Sequence, residues 1–143
     1  FLGHYFKWDP LYTFEVAKKF GFKSAAEAKT GYYAFADIDD SFLITIHHWM
    51  KWYKFGFTRI WDNLSLEIRN RRMTREEAIV KIKSIGEELP RSEISLFCKY
   101  VNISESEFYE IANTFRNKNI WECNAQGIWY IKDFLIKDWK WVL

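Results

Sequence analysis

Between Lys54 and Ala78 the chain reads KFGFTRIWDNLSLEIRNRRMTREEA, a run in which one helix stops, a second passes and a third begins without a spacer. Gly56 supplies the stop for a helix spanning Ser41 to Phe55. The second helix is expected from about Thr58 to Arg72. Thr74 and Glu77 form a capping-box pattern that opens the third, which runs to about Ile85 and closes at Gly86. Periodicity then divides each helix into faces. In the first, Phe42, Ile46, Trp49, Met50 and Tyr53 recur at helical spacing, while His47, Lys51 and Lys54 lie opposite. In the second, Ile60, Trp61, Leu64 and Ile68 form the apolar arc, and Arg59, Asp62, Asn63, Arg69 and Asn70 share the other.

The flanking segments carry their own signals. FLGHYFKW at the start reads as an apolar, aromatic strand, followed by a helix capped by Asp9, with Pro10 in its first turn, running to about Phe20 and Gly21. An Ala-rich helical piece is expected over Ser24 to Lys29. GYYAFADIDD, at Gly31 to Asp40, fits an ordered loop, with or without a short strand. Pro90 precedes a helix near Ser92 to Val101, and Ser104 with Glu107 gives a second capping box for a helix to about Arg116. β-Branched and aromatic residues around Asn124 to Gly127 predict a hairpin, and IKDWKWVL reads as an edge strand or a docking tail. The expected fold is therefore mainly α, one unit over 1–143. Its parts are a possible strand over 1–9, a helical region over 10–117, and a hairpin with tail over 118–143.

A chain of 143 residues that is 49% hydrophobic can bury a core. Aromatic residues reach 20%, with eight Trp, so part of that surface is expected to meet another domain. A net charge of +2 is too balanced for wrapping nucleic acid by charge alone, which leaves nucleic acid a disfavoured partner. The opening at Phe1 is read as a fragment or a processed chain. No signal-peptide pattern is visible, and the longest uncharged apolar run falls short of the ~20 residues that span a bilayer. A cytoplasmic protein without membrane insertion is the expectation. Cys98 and Cys123 lack metal-binding or disulfide spacing and read as buried free thiols.

The residues that could hold an anion are His47, Lys51 and Lys54 on one helix and Arg59 at the start of the next, with a tight turn between them. Lysine offers a compact charge, arginine offers two parallel donors, and the helix N-terminus adds backbone donors. A solvated basic face neutralised by Asp62 and Glu67 explains the same residues. Asp62 and Arg69 share a face but lie seven residues apart, so each needs another partner. Arg69 is the preferred member of the Arg69, Arg71, Arg72, Arg75 cluster, with Arg71 and Arg72 read as snorkelling near the helix end. Asp37, Asp39 and Asp40 carry ligand chemistry suited to magnesium, although Asp40 or Ser41 also serves as a helix cap, so Asp39 and Asp40 are weak metal candidates. No nucleophile with its base, no GKS/T phosphate loop and no zinc-ligand pattern is present.

LGHYFKWD at Leu2 to Asp9, FADIDD at Phe35 to Asp40, KFGFTR at Lys54 to Arg59 and IRNRRMTREEA at Ile68 to Ala78 together resemble the C-terminal part of N-acetyl sugar amidotransferases of the PP-loop ATP pyrophosphatase group. The resemblance covers roughly the whole chain in order and is most specific from His47 to Ala78. It implies work in surface-glycan (LPS O-antigen or related) biosynthesis, converting the N-acetyl group of a nucleotide-linked sugar to an acetamidino group. It also implies ATP and Mg2+ for the full-length enzyme and ammonia from a separate glutaminase assembly. The SGGxDS-type loop and the family's N-terminal cysteine pairs are absent from these 143 residues. The resemblance accordingly implies a helical C-terminal extension of an α/β nucleotide-binding core, with a missing N-terminal PP-loop domain and a chain inactive alone. His47, Lys54, Arg59, Asp62 and Arg69 are the candidates for phosphate or substrate contact; no catalytic residue is assigned. The competing expectation is a helical interaction or single-stranded nucleic-acid-binding module using Lys51, Lys54, Arg69 and Arg72 with exposed aromatics.

Overall fold

A computed structural model describes residues 1–38, 42–86 and 89–141. Among them are six α-helices: α1 (Pro10–Lys19), α2 (Phe42–Phe55), α3 (Arg59–Arg69), α4 (Arg75–Ile85), α5 (Arg91–Val101) and α6 (Glu105–Thr114). A two-stranded antiparallel sheet follows, β1 (Trp121–Cys123) with β2 (Trp129–Ile131), in which Glu122 faces Tyr130. The mainly helical fold with a C-terminal hairpin is therefore present. Both capping boxes form: Thr74 and Ser104 accept from the backbone N–H of Glu77 and Glu107, whose carboxylates accept in return. Asp9 Oδ1 accepts from the Leu11 N–H at 3.1 Å, capping α1.

Helix α2 is the centre of the molecule and packs against α3, α5 and α6. Its Trp52, 2% exposed, meets Trp121 and Phe134 edge-to-face at 5.2 and 6.0 Å and stacks on Trp141 at 6.1 Å. Ile46, Trp49 and Tyr53 extend this core toward Ile94, Cys98, Phe108 and Ala112 of α5 and α6. A second core lies between α3 and α4, where Ile60 and Leu64 pack with Ala78, Ile82 and Ile136. Phe134 and Trp139 touch both cores, so the tail after the hairpin docks across them rather than adding a strand among the described residues.

Several local expectations are corrected. Residues 1–8 do not form a strand: the N–H groups of His4 and Tyr5 bond back to Phe1 and Leu2, giving a 3-10 turn over Leu2–His4. The only strands among the described residues pair with each other, which leaves this segment no ladder to join. The Ala-rich piece at 24–29 is not helical either. Its Ala25 N–H bonds to the Ala34 carbonyl, closing a loop that overrides alanine's helix preference. Cys98 is buried as expected, but Cys123 is exposed on the hairpin edge. Glu67, expected on a solvated face, is 4% exposed, and Asn63 is 2% exposed, so the polar arc of α3 is partly interior.

Helix α1 buries no residue fully and packs on no other helix. Two features hold it. Phe14 stacks on Phe35 at 4.4 Å, and Phe35 stacks on Tyr33 at 4.9 Å, forming a three-ring column from α1 into the loop before α2. The second is the salt bridge from Asp9 to Arg72, described below.

Candidate functional site

Arg59 opens α3 immediately after Thr58, so its side chain leaves the first turn beside the turn at Gly56 and the loop before α2. Its Nη1 lies 3.9 Å from Asp62 Oδ2, and its Nε lies 3.8 Å from Asp37 Oδ2. Lys51, one helix away, donates directly to Asp62 and lies 4.8 Å over the Phe57 ring. Asp37 also stands 3.9 Å from His48 Nδ1, which bonds to Thr30 Oγ1 at 2.8 Å. Burial holds the His48 imidazole below its usual pKa, with Asp37 opposing and Arg59 reinforcing that shift. The result is a series of neighbouring polar groups, Thr30, His48, Asp37, Arg59, Asp62 and Lys51, that leaves α2 at His48 and returns to the same helix face at Lys51.

Within that series, Asp37 Oδ2 and Arg59 Nε are both buried atoms without a hydrogen-bond partner. They are close enough to attract but too far apart to bond. Asp37 takes φ +54°, an uncommon backbone for a non-glycine residue although aspartate tolerates it better than most. Arg59 therefore keeps donor capacity beside a cavity of about 490 Å³ lined by Trp8, Phe14, Tyr33, Phe35, Asn63 and Leu66 among others. Aromatic walls with one guanidinium at the margin suit a ligand that has an apolar or ring-shaped part and an oxyanion. Close approach of the loop makes this wall possible. Gly31 has φ +71°, and a Cβ there would run into Asn63 Oδ1 and Arg59 Cγ. In its place the Tyr32 N–H donates to Asn63 Oδ1 at 2.9 Å.

Behind Tyr33, a residue of the cavity wall, stands a cluster centred on Arg72. Its Nη1 and Nη2 donate to Asp9 at 2.7 and 3.0 Å, while Nε and Nη2 donate to Glu67, each at 2.8 Å. Tyr33 donates its hydroxyl to the same Glu67 carboxylate. Hydrogen bonds from Arg72 hold the Asp9 and Glu67 carboxyls below their ordinary range, and desolvation together with Glu67 raises the Tyr33 phenol. One guanidinium thus joins the first residue before α1, the end of α3 and the loop between them.

The expected site residues separate accordingly. Arg59 and Asp62 come together. His47 is exposed on α2 and touches the ring of His48. Lys54 turns away to lie 5.1 Å over the Phe115 ring. Arg69 is exposed, and among the described residues its side chain makes a single long bond, 3.4 Å, to the Ser65 carbonyl of its own helix. Asp39 and Asp40 lie outside the described residues. Among the described residues no group of three or more His, Cys, Asp or Glu side chains is arranged to hold a metal, and Asp37 faces Arg59 and His48 instead. Sequence reading missed Arg72, Tyr33, Asn63, Asp37 as an arginine partner, and the Thr45, His48 and Trp52 side of α2. The last had a legible signal, since 45, 48, 49 and 52 follow helical spacing.

Fold and site define a small helical domain that presents an arginine-edged aromatic cavity between its first helix, one long loop and α3. The sequence profile described as LPS biosynthesis protein WbpG-like, C-terminal domain, matches residues 5–135, and the chain belongs to that family. This places it in LPS biosynthesis. No curated protein sequence matches the chain. No helix among the described residues is long and apolar enough to cross a membrane.

Proposed function

We infer that this chain is the C-terminal portion of an ATP-dependent amidotransferase that converts the N-acetyl group of a nucleotide-linked sugar to an acetamidino group during LPS biosynthesis. In this reading the amide oxygen attacks the α-phosphorus of ATP and expels pyrophosphate. Ammonia, delivered by a glutaminase assembly, then adds to the activated carbon, and AMP departs with the former amide oxygen. An unactivated amide oxygen is a poor leaving group, whereas an adenylate leaves readily. ATP and Mg2+ belong to an N-terminal PP-loop core. The present chain contributes substrate binding, and the exposed Leu2, Tyr5, Phe6 and Trp8 provide an apolar surface for that core.

The observation that carries the reading is Arg59, whose buried Nε lacks an acceptor at the edge of the aromatic cavity. A diphosphate oxygen entering there gains a charge-assisted donor held in place by Asp37 and Asp62. The full-length protein is expected to release AMP when given ATP, ammonia and a UDP-linked N-acetylated sugar, and sugar-independent AMP release would argue against the reading. Arg59→Ala should lower kcat/KM for the sugar by about 10²-fold, the ~2–3 kcal/mol of one charged hydrogen bond, without unfolding the protein. Unchanged turnover removes Arg59 from the site.

A further inference from the structure

A second cavity, of about 350 Å³, is lined by His48 at the other end of the His48–Asp37–Arg59 series, and the reading above does not use it. Its polar lining comes from Lys29, Thr30, Thr45, His48 and Glu93, and its apolar wall includes Trp49. Thr45, His48 and Trp49 sit at i, i+3 and i+4 on α2, so one helical face supplies hydroxyl, imidazole and indole together. Thr45 is 5% exposed, and its buried Oγ1 has no hydrogen-bond partner among the described residues. A hydroxyl left in that condition is costly unless something in the cavity bonds to it.

The lining also limits what that something is. Among the described residues of the lining, Lys29 and Glu93 contribute opposite charges, so neither sign of ligand charge is favoured by them. Thr30 and Thr45 both donate and accept, and the His48 imidazole, held below its usual pKa by burial, does the same in its neutral form. Groups that work in both directions match ligand hydroxyls, and the Trp49 indole supplies apolar surface for the carbon-bound hydrogens of a ring. A volume of this size holds one such ring.

We propose that the cavity bounded by Thr45, His48 and Trp49 binds a neutral, hydroxyl-rich ring of monosaccharide size. Taken with the amidotransferase reading, on which its identification as part of the substrate rests, it seats sugar apart from the groups that meet phosphate at Arg59. The two cavities share a wall. Gly31 lines the second, and Asn63 and Arg59, against which Gly31 packs, line the first.

The test is titration of the full-length protein with free N-acetylglucosamine, followed through the His48 ring resonances and the Trp49 indole. A saturable shift that inorganic phosphate does not produce is expected. Thr45→Val removes only the unpartnered hydroxyl and should weaken the sugar about tenfold while leaving the thermal transition in place. No shift up to the solubility limit overturns the proposal, as does a shift from phosphate but not sugar, or sugar binding that Thr45→Val leaves unchanged. If Thr45→Val does not fold, Thr30→Val with the same titration decides between the same outcomes. Sugar binding by a protein that releases no AMP retains the cavity's role and removes the amidotransferase. AMP release with normal sugar KM in Thr45→Val does the reverse.

Discussion

Replacing Arg72 with alanine removes four charge-assisted hydrogen bonds at once, and their surroundings set the cost. The Asp9 half is open to water, with side chains 29% and 23% exposed, so even its bidentate geometry contributes only about 0.5–1 kcal/mol. The Glu67 half differs, because the Glu67 side chain is 5% exposed. Breaking a fully buried pair costs ~3–5 kcal/mol, but water reaches Arg72 and Tyr33 still donates to Glu67, so ~2–3 kcal/mol is the appropriate range. The total is about 3 kcal/mol, which for a chain of this length lowers Tm by ~10 °C. Urea unfolding of Arg72→Ala, Glu67→Gln and the double variant measures it. The double variant should recover at least ~1 kcal/mol relative to the sum, since a neutral amide needs no guanidinium. A loss under ~0.5 kcal/mol in Arg72→Ala, or strict additivity, refutes the argument.

The same cluster dictates a pH dependence. Arg72 holds the Asp9 and Glu67 carboxyls below their ordinary values of 3.8 and 4.5 in the folded chain, so the unfolded chain binds their protons more readily. Their contribution is complete above those ordinary values and is lost as pH falls through the lower folded ones. Arg72→Ala should therefore show a shallower loss of stability on the acid side than the parent.

The remaining predictions concern the loop and the thiols. Gly31→Ala places a Cβ at φ +71° against Asn63 Oδ1 and Arg59 Cγ, and should cost more than ~1 kcal/mol by thermal unfolding while lowering sugar-nucleotide affinity. Unchanged stability would mean that the loop does not sit on α3. Native protein should react rapidly with a thiol reagent at one cysteine, the exposed Cys123. The buried Cys98, whose thiol pKa is raised by desolvation, should react only on unfolding. Two fast thiols in the native protein would contradict the packing of α5.

Much of the architecture could be read along the chain because its causes are local. Capping boxes at Thr74 and Ser104, the Asp9 cap and glycines at 56 and 86 act within a few residues, so their sequence pattern is sufficient. The aromatic hairpin was legible for the same reason. Segment 1–8 was not, since a strand depends on a partner that need not be nearby in sequence. That Arg59 and Asp62 lie side by side was legible because both fall on one turn of one helix. Arg69 was preferred over Arg72 on angular position alone, and that preference missed the arginine that bonds to Asp9, 63 positions away.

The order of α1 to α6, the capped starts of α1, α4 and α6, the apolar arc of α3 and the closing hairpin were determined by sequence alone, through short-range capping and periodicity, whereas α3 stops at Arg69, three residues before the expected end. Tertiary structure alone decided which polar residues became interior and which cations remained as surface charge. Burial depends on what a distant segment brings against a helix: the loop at 31–37 covers Asn63 and Glu67, draws Asp37 to Arg59, and separates one cavity from another. No spacing rule encodes that contact, because its partners meet only after α2 and α3 have packed.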